Sequence, residues 1–193
     1  TVTSRAALEA YAGTLGGVVR VLANPVDLPT VPLGAPRTDS VLSVGRLEEE
    51  KDHETLIRAF ATALSVRPGW TLDVVGDGPL RSRLEALATE LGVGAAVTFH
   101  GFRSDVADLM VRASVLAVPS RYESFGLATA EALAAGLPVI GFVDCPGTNE
   151  LVRHGVNGLL VSGPDRVVAL AEGLAELMDG PSLRRRLGSA GPD

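Results

Sequence analysis

Residues 115–142 read VLAVPSRYESFGLATAEALAAGLPVIGF. Residues 115–118 are apolar without alternation, the pattern of a strand covered on both faces. Residues 125–135 then carry helical character, and residues 139–142 form a second short apolar strand. Two strands joined through a helix must run parallel, because the crossover returns the chain to the same end of the sheet.

The same unit repeats in both directions. Upstream, residues 40–44 (SVLSV) form a buried strand ending at Gly45. Leu56, Ile57, Phe60, Ala61 and Leu64 give residues 52–66 a helical period. A strand over 71–75, a helix over 79–91, a strand over 97–100 and a short helix over 105–113 follow. Downstream come a helical turn at 149–154, a strand at 158–161, a helix at 166–178 and a fragment at 183–187. The expected fold class is α/β, a Rossmann-like parallel sheet with helices on both faces. In such sheets ligands bind beyond the carboxyl ends of the strands, so the residues after each strand carry the functional reading.

The chain is 46% hydrophobic and 21% charged, enough to bury a core, but only 4% aromatic, so that core is aliphatic. A net charge of −6 argues against nucleic acid as a partner and against a general anionic-membrane surface. The single cysteine, Cys145, has no internal disulfide partner, which fits a reducing, cytoplasmic setting. Of 17 basic residues only Lys51 is lysine.

Four strand ends stand out: Gly45-Arg46, Gly76-Asp77-Gly78-Pro79, Gly101-Phe102, and the stretch from Pro119 to Gly126. Glycine turns there let a backbone approach a phosphate. A dinucleotide fingerprint would need glycine at position 81, where Arg81 stands, so NAD binding is disfavoured. Apart from Thr129 and Glu131, the 125–135 helix is apolar nearly all round and reads as buried. Glu131 then needs a partner, either a backbone donor or solvent, or the hydroxyls of a ligand. Glu123 lies eight positions earlier, roughly 12 Å along a helix axis. Paired glycosidase carboxylates stand about 5.5 Å or about 6.5–9.5 Å apart, so this pair fits neither arrangement. It suits two hydroxyl-bearing rings flanking a diphosphate, with Ser124, Phe125, Gly126 and Leu127 at the positive helix end. Arg46 and Lys51 form either a solvated charged turn or a two-cation clamp on phosphate, with Glu48, Glu49 and Glu50 facing outward. His53 and His154 read as surface or capping residues, while His100 is open to a structural or a site role. Trp70 packs at a strand edge, Arg184, Arg185 and Arg186 form a solvated helix face or a membrane-surface contact, and Cys145 is inert.

Val44-Gly45-Arg46-Leu47 with Lys51 and Leu56-Ile57 resembles a signature of family 4 retaining glycosyltransferases, which have the two-Rossmann-domain GT-B fold. Phe99-His100-Gly101-Phe102, Val118-Pro119-Ser120 and Glu123-Ser124-Phe125-Gly126-Leu127 resemble the same family. Glu131-Ala132 completes its "Glu, seven residues, Glu" motif. Leu137-Pro138-Val139-Ile140, Asn149-Glu150-Leu151 and Asn157-Gly158-Leu159-Leu160-Val161 continue the order, and Asn24-Pro25-Val26-Asp27 is similar to its interdomain junction. Asp52 departs from the family, where glycine is common.

The resemblance implies one half of a GT-B enzyme transferring sugar, with retention, from a UDP-, GDP- or ADP-sugar. Arg46 and Lys51 would hold the diphosphate and stabilise the leaving group, Glu123 would bind the transferred sugar, and Glu131 the ribose. Gly101 and Phe102 would lie near the base, with Gly45 and Gly76 lining the donor site. No metal or other cofactor is expected. Residues 1–23 read as the remnant of an N-terminal acceptor domain and residues 24–39, Pro-rich at 25–36, as the interdomain linker. Residues 40–193 read as the nucleotide-sugar-binding domain, its C-terminal crossover helix missing. Partners implied are the donor, that N-terminal domain and an acceptor such as a lipid-linked glycan, with the full-length enzyme associated with a membrane. The alternatives are a GT-B-fold sugar-nucleotide epimerase or phosphorylase, and a non-catalytic nucleotide-binding module.

Overall fold

The computed structural model describes residues 36–191. The expectations for residues 1–23 and for the linker up to residue 35 lie outside the described residues. Six strands, β1 (Ser40–Val44), β2 (Thr71–Val75), β3 (Val97–Gly101), β4 (Val115–Val118), β5 (Val139–Phe142) and β6 (Gly158–Val161), form one parallel sheet in the order β3-β2-β1-β4-β5-β6. The helices are α1 (His53–Val66), α2 (Arg81–Glu90), α3 (Val106–Arg112), α4 (Leu127–Ala134), α5 (Pro146–Leu151), α6 (Arg166–Asp179) and α7 (Pro181–Ser189).

Successive side chains point to opposite faces, so every central strand feeds two cores. Val41, Leu72, Val74, Val115, Ile140 and Phe142 pack with Phe60 of α1, Leu84 of α2 and Leu174 of α6. Leu42, Leu116, Val118 and Val139 pack with Met110 of α3 and Leu133 of α4 on the other face. The unbroken apolar runs of β4 and β5 are buried at every position, as two covered faces require.

Several boundaries differ from the sequence reading for local reasons. α4 begins at Leu127 rather than 125, because Gly126 takes a left-handed conformation (φ 79°) and serves as its N-cap. The expected turn at 149–154 starts earlier, at Pro146, whose fixed φ suits the first helical position, and stops at Leu151. Nor is α4 buried all round: Thr129, Ala132 and Leu133 are buried, while Leu127 is exposed and Glu131 half-buried.

With few aromatics, arginines close the helix ends. Arg37 donates to Met110 O (2.9 Å) and Ala113 O (2.6 Å) at the end of α3, and to Ala135 O and Gly136 O (both 3.0 Å) at the end of α4. One cation thus satisfies orphan carbonyls at two negative dipole ends. Arg184 does the same for α6 through Leu177 O and Met178 O, with its guanidinium 5.0 Å from the buried Trp70 ring. Arg186 donates to Gly155 O. The solvated face expected of Arg184, Arg185 and Arg186 is therefore wrong for Arg184, which is half-buried and caps a helix. Among the described residues no helix is long and apolar enough to cross a membrane.

Arg37→Met keeps the side-chain stem but strands four carbonyls. Urea unfolding is expected to show a loss of about 2–3 kcal/mol. A loss below about 0.5 kcal/mol, the level of an ordinary surface change, would remove this cap from the account.

Candidate functional site

Strands β1 and β4 are neighbours, with Val41 opposite Val115 and Leu42 opposite Leu116. The chain leaves β1 toward α1 on one face and leaves β4 toward α4 on the other. Their divergence opens a crevice at the carboxyl end of the sheet, where such folds bind ligands. Lys51, from the β1–α1 loop, and Glu123, from the β4–α4 loop, meet there. Lys51 Nζ lies 2.7 Å from Glu123 Oε1, and each side chain is 17% exposed. Ser120 Oγ donates to the same carboxylate oxygen at 2.7 Å.

Backbone packing holds both loops. Gly45 N donates to Val75 O, Leu47 N to Asp77 O, and Leu80 N to Leu47 O. Gly76 has φ 129°, and a Cβ on it would lie 2.0 Å from Gly45 O. The glycines of Gly76-Asp77-Gly78 thus admit a neighbouring loop backbone, a different use from the phosphate approach read from sequence. On the other side, a Cβ on Gly147 of α5 would lie 2.4 Å from Glu123 O. Only glycine there lets the Glu123 backbone sit this deep. No side chain caps the N-terminus of α4, and buried Thr129 Oγ1 in its first turn has no hydrogen-bond partner. A free, positive helix end therefore faces the crevice loop.

The remaining sequence-read residues gather at the same sheet end but are not all joined. Arg46 is 70% exposed and held by Glu48 at 2.9 Å, not by Glu123. Gly101 ends β3 with φ 68° and accepts from Gly76 N at 2.8 Å, while Phe102 beside it is 87% exposed. Ser124 and Leu127 are exposed and Phe125 half-buried. Glu123 precedes α4 in an irregular loop, so the axial spacing of roughly 12 Å to Glu131, which assumed one continuous helix, does not apply. Among the described residues no group of three or more His, Cys, Asp or Glu side chains is placed to hold a metal ion.

His100 Nε2 pairs with Asp73 Oδ1 at 2.7 Å, and His154 Nδ1 accepts from Leu160 N. Burial pushes the Cys145 thiol up, against nucleophilic use. His53, read as a surface or capping residue, is instead 3% exposed, with neither ring nitrogen hydrogen-bonded. Burial, and then the neighbouring Lys51 charge, lower its pKa from 6.5 to about 4.

Sequence reasoning missed Arg121 and Arg166, and singled out Asp52 only as a departure from the family pattern. Asp52 is the one non-glycine residue with positive φ (49°) among the described residues, a conformation glycine would adopt without strain. The Asp52 carboxylate accepts from Thr55 Oγ1 and contacts Arg121 and Arg166. One signal was available: Arg166 follows the N-cap Asp165 directly, and a cation in a helix's first turn opposes the dipole, so something else must hold it.

His53 yields a pH prediction. Its folded pKa lies below its unfolded value, so between pH 6.5 and about 4 the unfolded chain binds more protons. Stability is unaffected above that window and falls as pH drops through it, by on the order of 3 kcal/mol. In urea unfolding at pH 7 and pH 4.5, His53→Phe should lose less stability on acidification than the parent. Equal losses would show that His53 is not the group titrating.

Comparison with known proteins shows the family and the fold. The family described as "Glycosyl transferases group 1" matches residues 34–193. The lipopolysaccharide core biosynthesis glycosyltransferase LpsE of Rhizobium meliloti is 34% identical over 185 residues, 94% of this chain and 49% of that protein. An exopolysaccharide phosphotransferase of Streptomyces coelicolor is 40% identical over 144 residues, 74% of this chain and 15% of that protein. The crystal structure of Anabaena HepE in complex with UDP and glucose superposes with a TM-score of 0.86 at 28% identity, covering 99% of this chain and 56% of that one. The chain thus spans less than half the length of these two curated relatives. It belongs to the glycosyl transferases group 1 family.

Proposed function

We propose that this chain is the donor-binding half of a retaining glycosyltransferase that uses a nucleotide-diphospho-sugar. The observation that carries this reading is the Lys51–Glu123 pair at the β1–β4 crevice: a cation suited to a diphosphate touches a carboxylate suited to sugar hydroxyls. A neighbour of the same fold holding UDP and glucose supports it. Lys51, Arg46 swung off Glu48, and the uncapped end of α4 would share the diphosphate charge. In transfer, the bond from the anomeric carbon to the diphosphate oxygen breaks and one to the acceptor oxygen forms. The acceptor's proton leaves with the diphosphate or a nearby base. Negative charge grows on the leaving oxygen, and fixed cations there lower the barrier. Glu131 would take the ribose hydroxyls, and Gly101 and Phe102 would flank the base. The acceptor, a lipid-linked glycan in keeping with LpsE's role in lipopolysaccharide core synthesis, would sit on a second domain.

The ion pair revises what the helix-spacing argument gives for Glu123. A carboxylate bonded to Lys51 competes with the diphosphate for that cation, so Glu123 acts on both parts of the donor. Calorimetric titration with UDP, GDP and ADP is expected to show Glu123→Gln binding the preferred diphosphate about three- to tenfold tighter, while the matching nucleotide-sugar loses that advantage. Glu131→Ala should weaken both ligands by tenfold or more, about the worth of a hydrogen bond to a charged group. A diphosphate affinity left unchanged or lowered by Glu123→Gln would contradict the competition.

Donor binding should also survive chelation, since side-chain cations carry the diphosphate. An affinity falling more than about tenfold in EDTA and restored by Mg²⁺ or Mn²⁺ would assign that charge to a metal instead.

A further inference from the structure

Asp52 and Arg166 combine three features that each oppose stability. Asp52 is held at φ 49°, ψ 39°, a left-handed conformation that costs any residue but glycine something, though Asp and Asn less than most. Its carboxylate is 8% exposed, and Oδ2 lies 3.0 Å from Arg121 Nη2 and 3.6 Å from Arg166 Nε without hydrogen-bond alignment to either. Arg166 is the first residue of α6, where the helix dipole repels a cation, and its side chain is 19% exposed. A buried ionic cluster of this kind is poor evidence for stabilisation. Strained, paired groups held by their surroundings instead mark places where geometry matters.

What this cluster joins is specific. Arg166 Nη2 donates to Pro119 O (3.0 Å) and Ser120 O (3.3 Å), the first two residues of the β4–α4 loop. Arg166 Nη1 reaches both oxygens of Asp144 at 3.0 Å, and the guanidinium lies 3.6 Å from the Phe142 ring centroid at the end of β5. Through Asp52 the same guanidinium touches the residue that follows Lys51. Through Ser120 it touches the residue whose hydroxyl bonds Glu123. Arg121 adds a second strap, its N–H donating to Glu50 O at 2.9 Å while its guanidinium pairs with Asp52. Both loops that carry the Lys51–Glu123 pair are thereby tied to one guanidinium at the start of α6.

We propose that Asp52 and Arg166 are positioning residues that set the separation of Lys51 and Glu123. This rests on the donor-site reading above for its consequence in binding, but not for its structural claim.

Asp52→Gly separates charge from backbone. Glycine keeps the left-handed turn without strain and removes the carboxylate, so the variant is expected to fold, and Asp52→Asn repeats the loss of charge with the side chain's shape kept. Crystals of unliganded Asp52→Gly should show the 2.7 Å pair broken or spread over several Lys51 conformers, whereas an intact single pair would overturn the proposal. UDP, GDP and ADP are then titrated into the parent, Asp52→Gly, Lys51→Ala and the double variant. Asp52→Gly is expected to weaken the preferred diphosphate by about tenfold, and the double variant to bind no more weakly than Lys51→Ala. A merely structural role would give additive losses, or a shifted melting temperature with parental affinity, and either result overturns the proposal. If Lys51→Ala binds like the parent, the donor-site reading has failed, and the unliganded structure alone decides the positioning claim.

Discussion

The Lys51–Glu123 contact is the constraint around which the crevice is arranged. It is made by two residues 72 positions apart that share nothing but their place in the topology. A parallel sheet ordered β3-β2-β1-β4-β5-β6 sends the chain to opposite faces after its two central strands. The two outgoing loops then approach each other across an open cleft. Opposite charges placed there are half-sheltered from water, which strengthens their attraction, and half-open, which lets a ligand replace either partner.

The surrounding architecture both closes the loops on one another and caps the helices. Glycines 76 and 147 let backbone rest on backbone where any side chain would push a loop away. Arg37 and Arg184 close helices at the far ends, taking over carbonyls that the chain leaves without partners. Arg166 and Arg81 differ from them: each is the first residue of its helix, the wrong end for the dipole, and each reaches back to carbonyls at or just beyond a strand. Buried His53, neutral and unbonded next to Lys51, marks how far the α1 start is withdrawn from water.

Much of this was legible in the sequence. The unbroken apolar runs at 115–118 and 139–142 announced strands covered on both faces, and the spacing of helical and extended stretches announced parallel pairing. The strand-end residues Gly45, Arg46, Lys51, Gly76, Gly101 and Glu123 stood out by position alone, and the fold brings them to one end of the sheet. What pattern reading missed depends on tertiary contact. A helix period cannot show that Gly126 turns left-handed and delays α4, so a distance computed along a continuous helix from Glu123 failed. A histidine at a helix start reads as a cap unless the packing above it is known. Run-of-the-mill surface composition hid Arg184 and Arg186, whose partners are carbonyls rather than acids. Asp52 was visible only as a departure from similar sequences; its reason lies in a backbone angle and in Arg166, 114 positions away in numbering terms and adjacent in space.

The central claim is that one cation changes partners when donor arrives. The direct measurement is a crystal structure of this chain with whichever of UDP, GDP or ADP binds tightest, set against the unliganded crystal. The account predicts that Lys51 Nζ leaves Glu123 Oε1 for a phosphate oxygen while Arg166 and Asp52 keep their contacts. A nucleotide bound elsewhere, with the 2.7 Å pair intact, would contradict it.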